Sequence, residues 1–238
     1  MYGVDEAVTP KSSGETCRAL QDHTKMEAFR RRAIEWGKRN LRVFRWRSSD
    51  LDAFGVLITE ILLVRTRAES VEKIISQFLA EFPDAKTLSL EKPESVWRLL
   101  KPLGLHRKRA KALVELSIAL VRHHGASVPA DINLLMNLPY VGRYTANAVL
   151  CFAFNQKRPI VDVNVARLLQ RCFGLQPRMG KLSQDEAYWI LADNLLPEKD
   201  IKIYNWALLD IASLVCLRSK PLHQQCPFSP FCKFINAA

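Results

Sequence analysis

The chain has 238 residues, 48% of them hydrophobic, with a formal charge of +11 and a pI near 9.6. That length and apolar content exclude a disordered chain and supply a core for one domain or two closely packed ones. No apolar run approaches the roughly 20 residues of a membrane-spanning helix, so the positive charge points to an acidic polymer, most simply nucleic acid, over a plain soluble basic protein.

The first residues, "MYGVDEAVTPKSSGETCRALQDHTK", show no basic stretch leading into an apolar one, so no secretory signal is expected. Residues 1–25 are polar, lack sustained periodicity and read as a flexible tail. A basic helix follows in "KMEAFRRRAIEWGKRN". Ser49 or Asp50 then stands where it can cap a helix whose apolar body is "FGVLITEILLV". Residues 69–82 repeat apolar positions at helical spacing. "SLEKPESVWRLLKPLG" and "RKRAKALVELSIALVRHHG" give two more helices, each closed by Gly or by Pro and Gly.

Asp131 can cap a short helix, "INLLMN", which leads into "LPYVGRYTANAVLCFAF", Leu138 to Phe154. "VDVNVARLLQRCFG", "SQDEAYWILADNLL" and "DIKIYNWALLDIASLVC" complete the helical series. Alternating strands are missing, so the expected fold is all-α with about ten helices: a tail over 1–25, a helical core over 26–210 and a terminal loop over 211–238.

Three constellations carry possible chemistry. The first is the helix–hairpin–helix over about 131–154. Its turn presents the amides of Tyr140, Val141, Gly142 and Arg143, and the start of the next helix, to an anion such as a backbone phosphate. An ordinary αα-corner uses the same Pro and Gly. The second is Glu60, whose helical neighbours Val56, Leu57, Leu63 and Val64 are all apolar. Desolvation there raises a carboxyl pKa and suits it to proton donation, whereas a rotated helix would turn it to solvent or to an Arg.

The third constellation is Cys216, six residues, His223, two residues, Cys226, five residues, Cys232. Four soft or borderline donors in so short a span favour a metal or iron–sulfur site over a loop of unligated thiols. The other cysteines, Cys17, Cys151 and Cys172, are scattered, the last two within apolar helical patterns. A long chain without a signal is no secreted disulfide framework, so a reducing, intracellular compartment is expected.

Taken together, "ITEILLVRT", "LPYVGRYTANAVLCFAF", "VDVNVAR" and the terminal cluster resemble the helix–hairpin–helix DNA glycosylases that include endonuclease III and the MutY-type enzymes, from about Trp46 to Cys232. The resemblance implies a two-lobed helical HhH-GPD glycosylase fold with a C-terminal iron–sulfur loop. It places the catalytic aspartate at Asp162, which as a residue could merely cap the helix after it. Endonuclease III-like enzymes carry lysine where this chain has Tyr144. A lysine forms an imine with the sugar and goes on to cut the strand, which tyrosine cannot do. Tyr144 with Glu60 and Asp162 is similar to the thymine–guanine mismatch glycosylases. The implied activity is therefore monofunctional hydrolysis of thymine or uracil opposite guanine in base-excision repair.

The implied partner is double-stranded DNA with a mismatched or damaged base, bound by a monomer and without a membrane. Arg65 and Leu105 match positions that contact the orphaned base and wedge the duplex. The run His106, Arg107, Lys108, Arg109 and Lys111 suits phosphate contact, or is a solvated helix face. The alternatives are a MutY-type adenine glycosylase lacking the usual C-terminal recognition domain, and a DNA-binding module without catalysis.

Two departures from the family stand out. Its cluster has cysteine where this chain has His223, so a [4Fe-4S] cluster would be held by Cys216, His223, Cys226 and Cys232, with zinc or no metal as alternatives. Tyr140 replaces a usual hairpin Gly, which implies a strained or reshaped turn if that position needs positive φ.

Overall fold

The computed structural model describes residues 14–48, 51–176 and 182–236, the side chains of Glu15 and Cys17 excepted. Among them every regular element is helical. In chain order the α-helices are α1 (Gly14–Gln21), α2 (His23–Asn40), α3 (Ala53–Leu63), α4 (Ala68–Glu81), α5 (Ala85–Ser89), α6 (Pro93–Leu100), α7 (His106–His124), α8 (Ile132–Met136), α9 (Arg143–Phe152), α10 (Val163–Phe173), α11 (Glu186–Asn194), α12 (Ile201–Leu214) and α13 (Lys233–Asn236). No helix among the described residues is long and apolar enough to cross a membrane.

Aspartates set many of the helix starts. Asp22, Asp52, Asp84, Asp131, Asp162 and Asp185 each accept amide hydrogens of the first turn they precede, a contribution of about 1 kcal/mol apiece. The cap of α3 is Asp52, which takes the Gly55 amide at 2.8 Å. Ser49 and Asp50, expected in that role, lie outside the described residues.

The chain divides into two compact units, Arg42–Arg158 and Met1–Leu41 with Pro159–Ala238. The boundary expected at 210/211 falls inside α12. The expected tail also needs correction. Residues 1–13 lie outside the described residues, but α1 and the start of α2 occupy 14–25, with Thr16 and Ala19 buried and α1 packed on α11.

In the discontinuous unit, α2 buries Met26, Phe29, Ala33 and Gly37 as a single stripe and packs it on α12. Gly37 is needed for that approach: a Cβ there would sit 2.9 Å from Ile203 Cγ2 and 3.0 Å from the Ala207 Cβ. Phe29 also stacks on Phe228, ring centres 4.1 Å apart, which ties α2 to the C-terminal loop.

In the Arg42–Arg158 unit, α3 is buried on every side from Phe54 to Leu62, as expected of a helix apolar all round. It packs on α4 and α9, while α7 packs on α5 and α6.

Replacing Gly37 by Ala is expected to lower stability. Overpacking against α12 costs about 1–3 kcal/mol, more than the roughly 1 kcal/mol that Ala gains in helix propensity. A lower urea midpoint with an unchanged slope is the expected reading.

Candidate functional site

Glu60 sits near the middle of α3 and is only 4% exposed. The Tyr144 hydroxyl, from the first turn of α9, donates a hydrogen bond to its carboxylate, and the Arg47 guanidinium attracts its negative charge. Burial outweighs both and pushes the carboxyl up to about 7. Glu60 Oε2 is buried and has no hydrogen-bond partner among the described residues. A buried carboxylate oxygen left in that state is an acceptor, or when protonated a donor, for whatever group enters beside it.

The hairpin delivers Tyr144 to that position. Asp131 caps α8 through the amides of Asn133 and Leu134 at 2.8 and 2.9 Å. Val141 is buried, and its amide closes the turn on the Leu138 carbonyl at 3.3 Å. α9 then starts at Gly142 with no side chain capping it, and both Gly142 and Arg143 are exposed. A helix start of this kind offers its amides to an anion. Tyr140 adopts φ 65°, so the position where glycine was expected does require the left-handed region. Its exposed hydroxyl donates to the Glu115 carboxylate on α7.

Arg65 and Leu105 are also left-handed, with φ of 55° and 48°, and both are exposed. Non-glycine residues in that region store strain that the surroundings must hold. Arg109 does the holding. It is buried on α7 and donates through Nη1 to the Leu62 carbonyl (2.9 Å), through Nη2 to the Val64 carbonyl (2.9 Å) and Thr66 Oγ1, and through Nε to the Gly104 carbonyl (3.2 Å). One guanidinium thus fixes the backbone directly before Leu105 and before Arg65, and holds the Thr66 side chain after Arg65. The run read as a basic phosphate contact therefore divides: Arg109 is an internal clamp, whereas Arg107 is exposed and lies over the Trp97 ring at 5.8 Å.

Asp162, in the other unit, is the N-cap of α10. Oδ1 accepts from the Asn164 and Val165 amides at 2.9 and 2.7 Å, and Oδ2 from the Asn164 side chain at 2.9 Å. Arg167 holds that Asn164 side chain in turn at 2.8 Å. The carboxylate is therefore fixed in position by three donors.

Cys216, His223, Cys226 and Cys232 border one apolar cavity in the same unit, and Cys172 of α10 borders it with them. Cys172 and Cys232 are hydrogen-bonded to each other. Burial pushes the Cys172 thiol well up, and the hydrogen bond from Cys172 brings Cys232 down to about 6. Among the described residues, no three His, Cys, Asp or Glu side chains are arranged to hold a metal ion.

Residues 58–189 match the HhH-GPD superfamily of base excision DNA repair proteins, a span of more than half the chain. The chain belongs to that superfamily. It is 33% identical over 221 residues to the thymine-DNA glycosylase of Aeropyrum pernix, covering 90% of this chain and 97% of that one. It is 33% identical over 193 residues to the thymine/uracil-DNA glycosylase of Methanothermobacter thermautotrophicus, covering 81% and 86% respectively. The solved structure of a thermostable thymine-DNA glycosylase superposes with a TM-score of 0.83 at 30% identity, over 90% of this chain and 98% of that one.

The HhH-GPD span contains Glu60, Arg65, Leu105, the hairpin, Tyr144 and Asp162, and leaves the Cys216–Cys232 loop outside it. The structure joins Glu60 to Tyr144. Three residues escaped the sequence reading: Arg47 beside Glu60, Arg109 as a clamp, and Cys172 at the thiol cavity. For Arg109 the available signal was its i+4 spacing from Leu105, which puts it at the base of the turn and not on the solvated face.

Two outcomes follow for this HhH-GPD chain. Arg109→Met leaves three backbone carbonyls without their charged donor and is expected to destabilise by about 1.5–3 kcal/mol or more, read by denaturant unfolding. For Glu60, the folded pKa of about 7 lies above the value of about 4.3 in an unfolded chain. Between those values only the folded state holds the proton, so stability falls as pH rises through the window and levels off above it. The loss is on the order of 3 kcal/mol. Glu60→Gln is expected to remove that slope, so its melting temperature gains on the parent from pH 5 to pH 8.

Proposed function

We propose that this chain is a monofunctional DNA glycosylase that hydrolyses the N-glycosidic bond of thymine or uracil mismatched with guanine. The observation that carries the proposal is the hydrogen bond from Tyr144 to Glu60. It puts a phenol, which forms no imine, beside a carboxyl that is half-protonated near neutral pH. The names of the thymine- and thymine/uracil-DNA glycosylases to which the chain is similar support the same substrate class.

In this reading the exposed start of α9 and Arg143 take a backbone phosphate, without reading a base. The target nucleotide leaves the stack at a cost of a few kcal/mol, least for a mismatched pair. Leu105, held outward by its left-handed backbone, fills the gap as an apolar wedge, and Arg65 meets the acceptor edge of the orphaned guanine. Arg107 adds a phosphate contact.

Glu60 and Tyr144 hydrogen-bond to the departing pyrimidine, with Glu60 supplying the proton. Asp162, fixed by its three donors, stabilises the positive charge that grows on the sugar and orients the attacking water. The product is an abasic site in an uncut strand.

The terminal loop is proposed to hold a [4Fe-4S] cluster through Cys216, Cys226 and Cys232, with either His223 or Cys172 beside them as fourth donor. The donor set fits such a group, since its members are thiols and an imidazole and no carboxylate lines the cavity. When bound, a cluster of this kind braces the loop by cross-linking its ligands.

Labelled duplexes bearing T·G, U·G, A·G or adenine opposite oxidised guanine test the activity. The expected result is release from T·G or U·G, with strand breaks only after alkali. Breaks without alkali would refute the monofunctional assignment, release of adenine alone would favour an adenine glycosylase, and binding without release a DNA-binding module. Asp162→Asn is expected to abolish turnover and spare binding. The rate with the parent chain should fall as pH rises through about 7, where Glu60 loses its proton.

A further inference from the structure

The loop supplies three cysteines, and the fourth donor decides what kind of site it is. Cys172 lies far from the loop in sequence but is brought against it by the end of α10. Gly174 closes that helix with φ 71°, and a Cβ there would meet Lys233 Cδ at 2.6 Å. Glycine takes that φ without strain, and Lys233 at the start of α13 lies against the helix end. Cys232, one residue before Lys233, is thereby set beside Cys172. The loop is anchored further by Arg171, which donates to the Leu217 and Arg218 carbonyls at 2.7 and 2.9 Å.

We infer that Cys172 is the fourth ligand of the proposed iron–sulfur cluster, with Cys216, Cys226 and Cys232, and that His223 is not a ligand. The inference rests on the reading that the loop carries a cluster. Three observations support it.

First, Cys172 is 1% exposed and already in direct contact with the Cys232 thiol, whereas the His223 ring lies nearly parallel to Phe234, 6.1 Å between centres. Phe234 is itself covered by the Arg171 guanidinium at 4.6 Å. His223 borders the cavity as well, but the structure shows no thiol contact of its ring among the described residues.

Second, the charges match four thiolates. A [4Fe-4S] core in its oxidised resting state carries two positive charges, so four thiolates leave a dianion, while three thiolates and an imidazole leave a monoanion. Cations stand at the site, Lys233 beside Cys232 among them. Arg171 Nη1 is 3.4 Å from Cys216 Sγ, and Lys25 Nζ is 2.6 Å from the Cys172 carbonyl. Arg171 is placed to hydrogen-bond a ligand sulfur and Lys25 bonds the backbone of Cys172, so both bring positive charge against the dianion, the role of groups behind a metal's own donors.

Third, the backbone of Cys172 belongs to a capped helix held by Arg167, which donates to the carbonyls of Ala212 and Cys216 at 2.8 and 2.9 Å. A ligand on a rigid element needs the least ordering on binding. The cavity between the donors is about 20 Å³, roughly the room of one water, so loading moves the loop wall outward from α10. Without metal, Cys172 is a small buried hydrophobe, and the experiment has to separate the two roles.

The full chain, purified without oxygen, is analysed for iron, acid-labile sulfide and visible absorption beside Cys172→Ala, Cys172→Ser and His223→Ala. About four irons per chain are expected in the parent and in His223→Ala. Both Cys172 variants should lose bound iron roughly 10-fold or more, or retain a three-iron cluster recognisable by electron paramagnetic resonance. A measurement on the parent alone guards against a variant that merely fails to fold. With histidine labelled by nitrogen-15, pulsed resonance on the reduced cluster should show no coupling to a histidine nitrogen. Such a coupling, or a cluster lost in His223→Ala and intact in Cys172→Ala, overturns the assignment while leaving the cluster reading standing. A parent chain with zinc or without iron and sulfide overturns the cluster reading, and the assignment with it.

Discussion

A carboxyl group in the middle of an apolar helix constrains the whole Arg42–Arg158 unit. α3 is buried on every side, so Glu60 has little contact with water and its charge must be answered by its neighbours. The answer comes from α9, through the Tyr144 hydroxyl, and from Arg47. Tyr144 reaches Glu60 because the turn before it has one particular shape, which includes the left-handed backbone of Tyr140. The state of the carboxyl and the conformation of the exposed turn are thus parts of one arrangement. The remaining desolvation keeps Glu60 close to losing or gaining a proton at neutral pH.

The strain in this unit is concentrated at its surface and restrained from within. Arg65, Leu105 and Tyr140 all adopt a backbone that side chains disfavour. Arg109 binds carbonyls around the first two, and Glu115 holds the hydroxyl of the third. Both restraining residues lie on α7, so one long helix sets the geometry of three exposed turns. That arrangement presents side chains outward without leaving them free to collapse onto the surface.

Much of this was legible in the sequence because it is local. Helix periods, the Asp131 cap and the Pro–Gly turn depend on residues a few positions apart, and Glu60 announced itself by its four apolar neighbours. Tyr140 in place of a glycine left open a strained or a reshaped turn, and its φ of 65° shows the left-handed backbone kept. What could not be read depends on contacts across long stretches of chain. Arg109 looks like one more member of a basic run until its carbonyl partners, more than forty residues earlier, are seen. Cys172 sits in an apolar helical pattern and gives no spacing signal toward Cys216, Cys226 or Cys232. The helix at Gly14–Gln21 was missed because eight residues of mostly polar chain show too little periodicity, and its stability comes from packing on α11.

The division of the chain also bears on how it is made. Arg42–Arg158 is continuous, so a ribosome releases all of its contacts together, and that unit can complete itself while synthesis goes on. α2 is finished far earlier than its partner α12, and Phe29 waits even longer for Phe228. During that interval the stripe of Met26, Phe29 and Ala33 has no surface to cover it. The basic residues that crowd the rest of α2, Arg30, Arg31, Arg32 and Lys38 among them, give the nascent helix a repulsive charge that opposes its association with other chains until the C-terminal half arrives.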